Sequence, residues 1–246
     1  MAAMVPPMAL ATVLGILGIV GCASDGDFEG VPETTPGLLQ RAAAKGLVDI
    51  REVDPTIAVE LRYATDRNAA NQVLYVPDTP CLVRNTTARR LAKAQSYLRA
   101  RGYGLKIWDA YRPPEVQQEL WLLSGKKKNY VGNPMKGWSA HCTGTAVDVT
   151  LVDASGSEVA MPSDFDVLGT RAQAFYTGGN PQIRHNVGLL QRAMEQAGFL
   201  VYFREWWHFS DTDYKPLEFR HVVFAPSIGM PLPFTPRMPD LPPGPR

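Results

Sequence analysis

Two short stretches carry the residue types that chemistry needs. In "SAHCTGTAVD", His141 and Asp148 lie seven residues apart, and in "REWWHF", Glu205 and His208 lie three apart. Imidazole and carboxylate are suitable ligands for zinc, and a catalytic zinc takes three protein ligands and keeps one position open. The first stretch supplies two ligands and His208 can supply the third. Glu205 would then stand just outside the coordination sphere, where a carboxylate can deprotonate water and later protonate a leaving amine. Each residue taken alone has an ordinary reading: a packed histidine beside tryptophans, or an aspartate on a strand surface. The chain has only four histidines, His141, His185, His208 and His221, so two of them in these contexts carry weight.

Such residues need elements to position them. In "TAVDVTLVD", Val147, Val149 and Leu151 alternate with Asp148, which predicts a strand with Asp148 on its polar face. On a straight strand residues seven apart fall on opposite faces, so Gly144 must permit a turn that brings His141 back. "FLVYFREWWHFS" is aromatic and β-prone, a final strand pair or a bent strand, with a bend or bulge that leaves Glu205 and His208 near one point. Upstream, "TIAVELRY" alternates like a strand, and "TTARRLAKAQSYLRARG" reads as a helix capped by Thr86 or Thr87 and stopped by Gly102. "YGLKIWDAY" returns to strand, and "RPPEVQQELWLLSG" starts a helix with proline in its first turn and Val116, Leu120 and Leu123 on one face. The lysine-rich "GKKKNYVGNPMKG" is a solvated loop, and "NVGLLQRAMEQAG" a helix with Gly198 as its stop. Strands and helices mix without regular βαβ repetition, which predicts an α+β fold with a central antiparallel-dominated sheet flanked by helices.

The 246 residues favour one large domain, and the net charge of +1 offers nothing that would draw nucleic acid. No repeat at solenoid spacing is present. Met1 to Gly21 carry no charged side chain, and their apolar run fits a signal-peptide core better than a membrane span. "IVGCA" resembles a bacterial lipoprotein signal. That resemblance implies cleavage before Cys22, lipid on Cys22, and an exported protein held at the periplasmic face of a membrane or at the cell surface. Residues 23–46 then read as a flexible tether, 47–226 as the folded domain and 227–246 as a proline-rich tail. In an oxidising compartment Cys81 and Cys142 could form a disulfide; two separate buried thiols is the other reading.

The pattern S-x-H-x-x-G-x-A-x-D followed by "EWWH" resembles the zinc D-alanyl-D-alanine dipeptidases, the VanX-type enzymes and their housekeeping relatives. "LRYATDRN", "GYGLKIWDAYRP", "MPSDFD" and "MEQAGFLVYFREWWHF" resemble family segments in the same order, from about Leu61 to Ser210. The resemblance implies the zinc D-Ala-D-Ala peptidase (hedgehog/DD-peptidase-like) fold and one Zn²⁺ per chain on His141, Asp148 and His208. It makes Glu205 the catalytic base and Arg112 the group that stabilises the oxyanion. A fixed guanidinium beside the developing negative oxygen lowers the barrier to peptide hydrolysis, and Pro113 would restrict Arg112 to extended geometry. The ordinary alternative for Arg112 is a structural salt bridge with Asp109.

Tyr63, Ser139 and Asp166 match positions that hold the ends of the dipeptide, Asp166 for the ammonium and Ser139 for the carboxylate. Their ordinary readings are core residue, turn residue and helix cap. The implied reaction is hydrolysis of D-alanyl-D-alanine in cell-wall peptide metabolism. A D,D-carboxypeptidase acting on peptidoglycan stem peptides and a non-catalytic zinc-stabilised peptidoglycan-binding domain are the alternatives. The implied partners are a small D,D-dipeptide and, through the N-terminal lipid, a membrane; no protein partner is implied. The chain departs from the family in lacking a Ser-His pair after "FD" and in a shorter segment 124–138, which bears on substrate range.

Overall fold

A computed structural model describes residues 35–125, 130–212 and 221–238. Residues 1–34, including Cys22 and most of the expected tether, lie outside the described residues, as do Lys126–Lys128 of the lysine-rich loop. Among the described residues no helix is long and apolar enough to cross a membrane.

The central sheet is organised around its longest strand, β5 (Ala146–Asp153). It pairs antiparallel with β4 (Tyr103–Asp109) on one side and with β7 (His208–Asp211) on the other. A short β6 (Phe199–Val201) adds antiparallel outside β7, and β2 (Ala58–Val59) adds parallel outside β4, giving the order β2-β4-β5-β7-β6. Apart from this sheet, β1 (Leu47–Asp49) pairs antiparallel with β3 (Leu82–Arg84), and the short helix α2 (Ile50–Val53) follows β1. This is the expected mixed α+β architecture with an antiparallel-dominated sheet. β5 is more buried than its alternation predicts: Asp148, at the floor of a cleft, and Thr150 are as enclosed as the valines.

Two helices pack together beside the sheet. Helix α3 (Asn85–Arg99) buries Leu91, Ala94 and Leu98, and α5 (Pro181–Ala197) buries Val187, Leu190, Met194 and Ala197. These spacings place each set on one helical face. Asn180 caps α5 by accepting from the Gln182 and Ile183 amides, and Gly198 ends it in the left-handed region at φ 100°. Helix α3 starts earlier than its threonines suggest. Arg84 is the N-cap, and Thr87 is buried inside, its hydroxyl donating to Asp211. Helix α4 (Pro114–Leu123) follows β4 after the short stretch Ala110–Pro113.

Three expectations need correction. "TIAVELRY" forms only the two-residue β2 and then a 3₁₀ turn, Arg62–Ala64. Arg62 turns inward, lies over the Trp108 ring and pairs with Glu60 and Glu158, which breaks the alternation. The folded part also extends beyond 47–226 at both ends. Helix α1 (Thr35–Ala44) occupies part of the expected tether, and its Leu38 and Ala42 bury against Ile228 and Met230 of the expected tail. Leu47, Leu82, Tyr111, Val223 and Ala225 complete this second apolar cluster, and Arg41 Nε donates to the Ile228 carbonyl. Finally, Cys81 and Cys142 are both free and buried, so the disulfide is not formed. Each is enclosed by its own neighbours, the Cys81 carbonyl accepting from Ile50 and the Cys142 carbonyl from Val223. Burial pushes the Cys142 thiol up to about 12, so it stays neutral.

Candidate active site

His141 sits in a 3₁₀ turn, Ala140–Thr143, that ends at Gly144 with φ 74°. A Cβ on Gly144 would lie 2.5 Å from the Leu47 side chain, so both conformation and space require glycine there. The turn carries His141 back over the start of β5. Asp148 and His208 need no such device, because the β5–β7 register places them directly opposite each other.

The three side chains converge. His141 Nε2 lies 3.1 Å from His208 Nδ1, His208 Nδ1 lies 2.9 Å from Asp148 Oδ1, and His141 Nε2 lies 3.4 Å from that same oxygen. Ligands of a tetrahedral zinc at about 2.0–2.1 Å stand about 3.3 Å from one another, so the triangle has the right size. The protons point the right way too. His141 Nδ1 donates to the Ala110 carbonyl at 2.7 Å, which can only accept, so Nε2 presents a lone pair. His208 Nε2 has Ser210 Oγ at 3.3 Å, a hydroxyl that can accept its proton and is thus compatible with a lone pair on Nδ1. Burial alone would raise the Asp148 carboxyl, but His141 and His208 hold it well below the usual carboxylate range. Two imidazole lone pairs and an ionised carboxylate pointing at one spot form a cation site. Among the described residues it is the one cluster of three such ligands.

Glu205 comes from the turn between β6 and β7, not from a bulge within a strand. Its amide donates to the Tyr202 carbonyl, and its own carbonyl accepts from the His208 amide. Trp206 and Trp207 pin this turn into the core. The Trp206 amide donates to Ala172, its indole donates to Ser163, and the Trp207 carbonyl accepts from Val149 of β5. Burial pushes the Glu205 carboxyl up to about 8; His208 opposes the shift, and Asp148 and Asp166 add to it.

On the opposite side, Arg112 is fixed on several edges. Its Nε and Nη2 donate to Asp109 Oδ2 at 2.9 and 2.7 Å, its Nη1 donates to Gln117 Oε1 at 2.8 Å, and its guanidinium lies 4.8 Å from the Tyr63 ring centroid. The ordinary reading of Arg112 as a partner of Asp109 is therefore true, and it is what aims the guanidinium. The Arg112 amide also donates to the His141 carbonyl, tying the two turns together.

Tyr63 is buried, and its hydroxyl donates to Asp166 Oδ2 at 3.0 Å, where the Ala69 amide also donates at 2.9 Å. Both bonds fall on one oxygen, so the carboxylate keeps capacity for a cation. Asp166 holds φ 55°, unusual for a non-glycine, and burial pushes its carboxyl up to about 6. Ser139 Oγ caps the His141 turn, accepting from the His141 amide at 3.3 Å, so its turn role holds as well. All eight residues singled out, Tyr63, Arg112, Ser139, His141, Asp148, Asp166, Glu205 and His208, line one cleft of about 210 Å³.

A family model described as D-ala-D-ala dipeptidase matches residues 43–227. The chain belongs to this dipeptidase family. A D-alanyl-D-alanine dipeptidase of Escherichia coli is 35% identical over 163 residues, spanning 66% of this chain and 83% of that protein. Proteins of the same name from Enterococcus faecalis and Synechocystis are 33% and 29% identical, over 55% and 56% of this chain and 77% and 72% of theirs. The dipeptidase cleft also contains residues that the sequence patterns passed over: Gln117, Tyr130, Trp138 and Tyr202 line it, and the buried Tyr75 stands behind it, donating to Asp109. The signal that could have found Gln117 is a run of four polar residues in five, Glu115 to Glu119, on a helix that starts immediately after the arginine.

Proposed function

We propose that this chain is a zinc dipeptidase that hydrolyses D-alanyl-D-alanine to two D-alanines. The observation that carries the reading is the convergence of His141, Asp148 and His208 in one cleft with Glu205 and Arg112. Zinc held there would supply the Lewis acidity that polarises a peptide carbonyl and acidifies a water. Two neutral imidazoles and one carboxylate on a triangle of this size suit zinc better than magnesium or calcium, which favour all-oxygen shells.

Glu205 takes the proton from the attacking water and returns it to the leaving amine. Beside a bound cation its carboxyl ionises at lower pH than in the cation-free protein. Arg112 presents N–H donors to the oxygen that becomes negative, already oriented by Asp109. Asp166 receives the substrate ammonium with the one oxygen that Tyr63 and Ala69 leave available. Ser139 serves the carboxylate end. The match to the dipeptidase family model and to the Escherichia coli dipeptidase favours the dipeptidase over the D,D-carboxypeptidase reading.

We assign the fold to the hedgehog/DD-peptidase-like class on the strength of the sheet order and the family match. The apolar N-terminal run ending at Cys22 supports export and lipid anchoring at a membrane. An enzyme so placed would act on dipeptides outside the cytoplasm, in recycling of wall fragments or scavenging. The test is metal analysis and a hydrolysis panel on protein beginning after Cys22. The expected result is stoichiometric zinc and turnover of D-Ala-D-Ala above L-Ala-L-Ala and a muramyl pentapeptide. Preferential release of D-alanine from the pentapeptide would establish the carboxypeptidase instead, and a zinc-loaded protein inert to all three would establish a binding domain.

A further inference from the structure

We infer that Gln117 is a positioning residue for hydrolysis, locking the guanidinium of Arg112 to the wall of the cleft. The inference rests on the proposed role of Arg112. Gln117 is only 1% exposed, and its amide is divided between two partners. Oε1 accepts from Arg112 Nη1 at 2.8 Å, and Nε2 donates to the Gly132 carbonyl at 2.9 Å. A guanidinium can only donate and a carbonyl can only accept, so the amide has one workable orientation.

The geometry of the Asp109 pair shows why a second anchor matters. A fork-to-fork arginine–carboxylate pair uses both oxygens and fixes the guanidinium plane. Here both N–H groups of Arg112 reach the same atom, Asp109 Oδ2, because Oδ1 accepts from the Tyr75 hydroxyl at 2.7 Å. Two bonds to one oxygen leave more swing about that oxygen than a fork would, which the Tyr63 ring, 4.8 Å away, and Asp148 Oδ2, 3.6 Å from Nη2, restrain without a hydrogen bond. Gln117 holds the far nitrogen, Nη1, and removes the swing. Its other arm ends on Gly132, within the stretch that lends Tyr130, Val131, Gly132, Gly137 and Trp138 to the cleft wall. One side chain therefore sets the distance between the oxyanion donor and the surface against which substrate lies.

A double-mutant cycle tests this, using D-Ala-D-Ala turnover by the zinc-loaded protein. Gln117→Met should lower kcat about 10- to 100-fold, the scale of a misplaced catalytic group, while KM moves less than about threefold. Zinc content and melting temperature should stay near wild type. In an Arg112→Lys background the same change should cost less than about threefold, because a residue that acts through Arg112 has nothing left to position. Equal losses in both backgrounds, or a loss confined to KM, would overturn the inference. If Gln117→Met does not fold, Gln117→Asn enters the same cycle, being one methylene too short to reach the guanidinium. Wild-type turnover is the reference arm: its absence would remove the proposed reaction and this inference together, whereas an active wild type with an additive cycle removes only the role of Gln117.

Discussion

On one side of the cleft, Asp148 and His208 face each other across paired strands and His141 arrives by a single 3₁₀ turn. On the other, Arg112 depends on Asp109 from β4, Gln117 from α4 and the Tyr63 ring, while the turn that carries it is braced by a distant segment. Residues 223–230 supply that brace. The Val223 carbonyl accepts from Tyr111 and the Ala225 amide donates to Glu115, while the Val223 amide donates to the Cys142 carbonyl and so reaches the His141 turn as well. Phe224 meets Trp138 edge to face, and Arg237 pairs with Glu119 farther along α4. The ligand side is fixed by sheet register, which cannot slip by one residue without turning every side chain over. The arginine side is fixed by a buried polar network whose members depend on one another. Asp109 joins the two, since its Oδ2 lies 3.4 Å from His141 Nδ1.

This contrast predicts separable failures. The largest effect belongs to the ligand side: His208→Ala should lose both stoichiometric zinc and D-Ala-D-Ala hydrolysis, read by metal analysis and a D-alanine release assay. Glu205→Gln should keep the metal and lower kcat about 10²- to 10⁴-fold, the range of general acid–base catalysis; a variant with nearly full turnover would end its assignment as the base. Asp109→Ala tests the arginine side. It leaves a buried guanidinium without its carboxylate and should cost about 3 kcal/mol in urea unfolding, with kcat falling while zinc remains. Loss of zinc in step with kcat would show the two sides to be one unit.

The smallest effect is a pH limb. The Asp166 carboxyl, pushed up to about 6 by burial, is ionised above that pH and protonated below it. Pairing with an ammonium requires the anion, so kcat/KM should decline as pH falls through about 6. Asp166→Asn should have a lower kcat/KM and lack that limb; an unchanged limb would place the titration elsewhere.

The same contrast explains what the sequence reveals. His141, Asp148, Glu205 and His208 are readable because strand alternation and one glycine nearly determine where they point. Gln117 is not, because helical periodicity assigns the core face of α4 to Val116, Leu120 and Leu123 and leaves the glutamine on the outside. In fact Pro114 to Leu120 are buried throughout, because residues 223–230 and the cleft wall cover the faces that periodicity treats as solvated. Composition assigns Ser227 to Met230 to a tail because the residues that follow are rich in proline, although Ile228 and Met230 carry enough apolar surface to seat against Leu38 and Ala42 of α1. The strand expected over "TIAVELRY" fails for a related reason: alternation says nothing of a buried Arg62 with carboxylate partners nearly a hundred residues away. The separate burial of Cys81 and Cys142 is likewise a matter of long-range placement that spacing does not encode.

The brace also sets an order of events. A chain emerging amino end first can pair β5 with β7 as soon as His208 is available, but the turns that carry His141 and Arg112 have no Val223 to hold them, through Cys142 and Tyr111, until residues well past the last ligand have followed. For a stretch of its synthesis both of those turns lack the contacts that fix them.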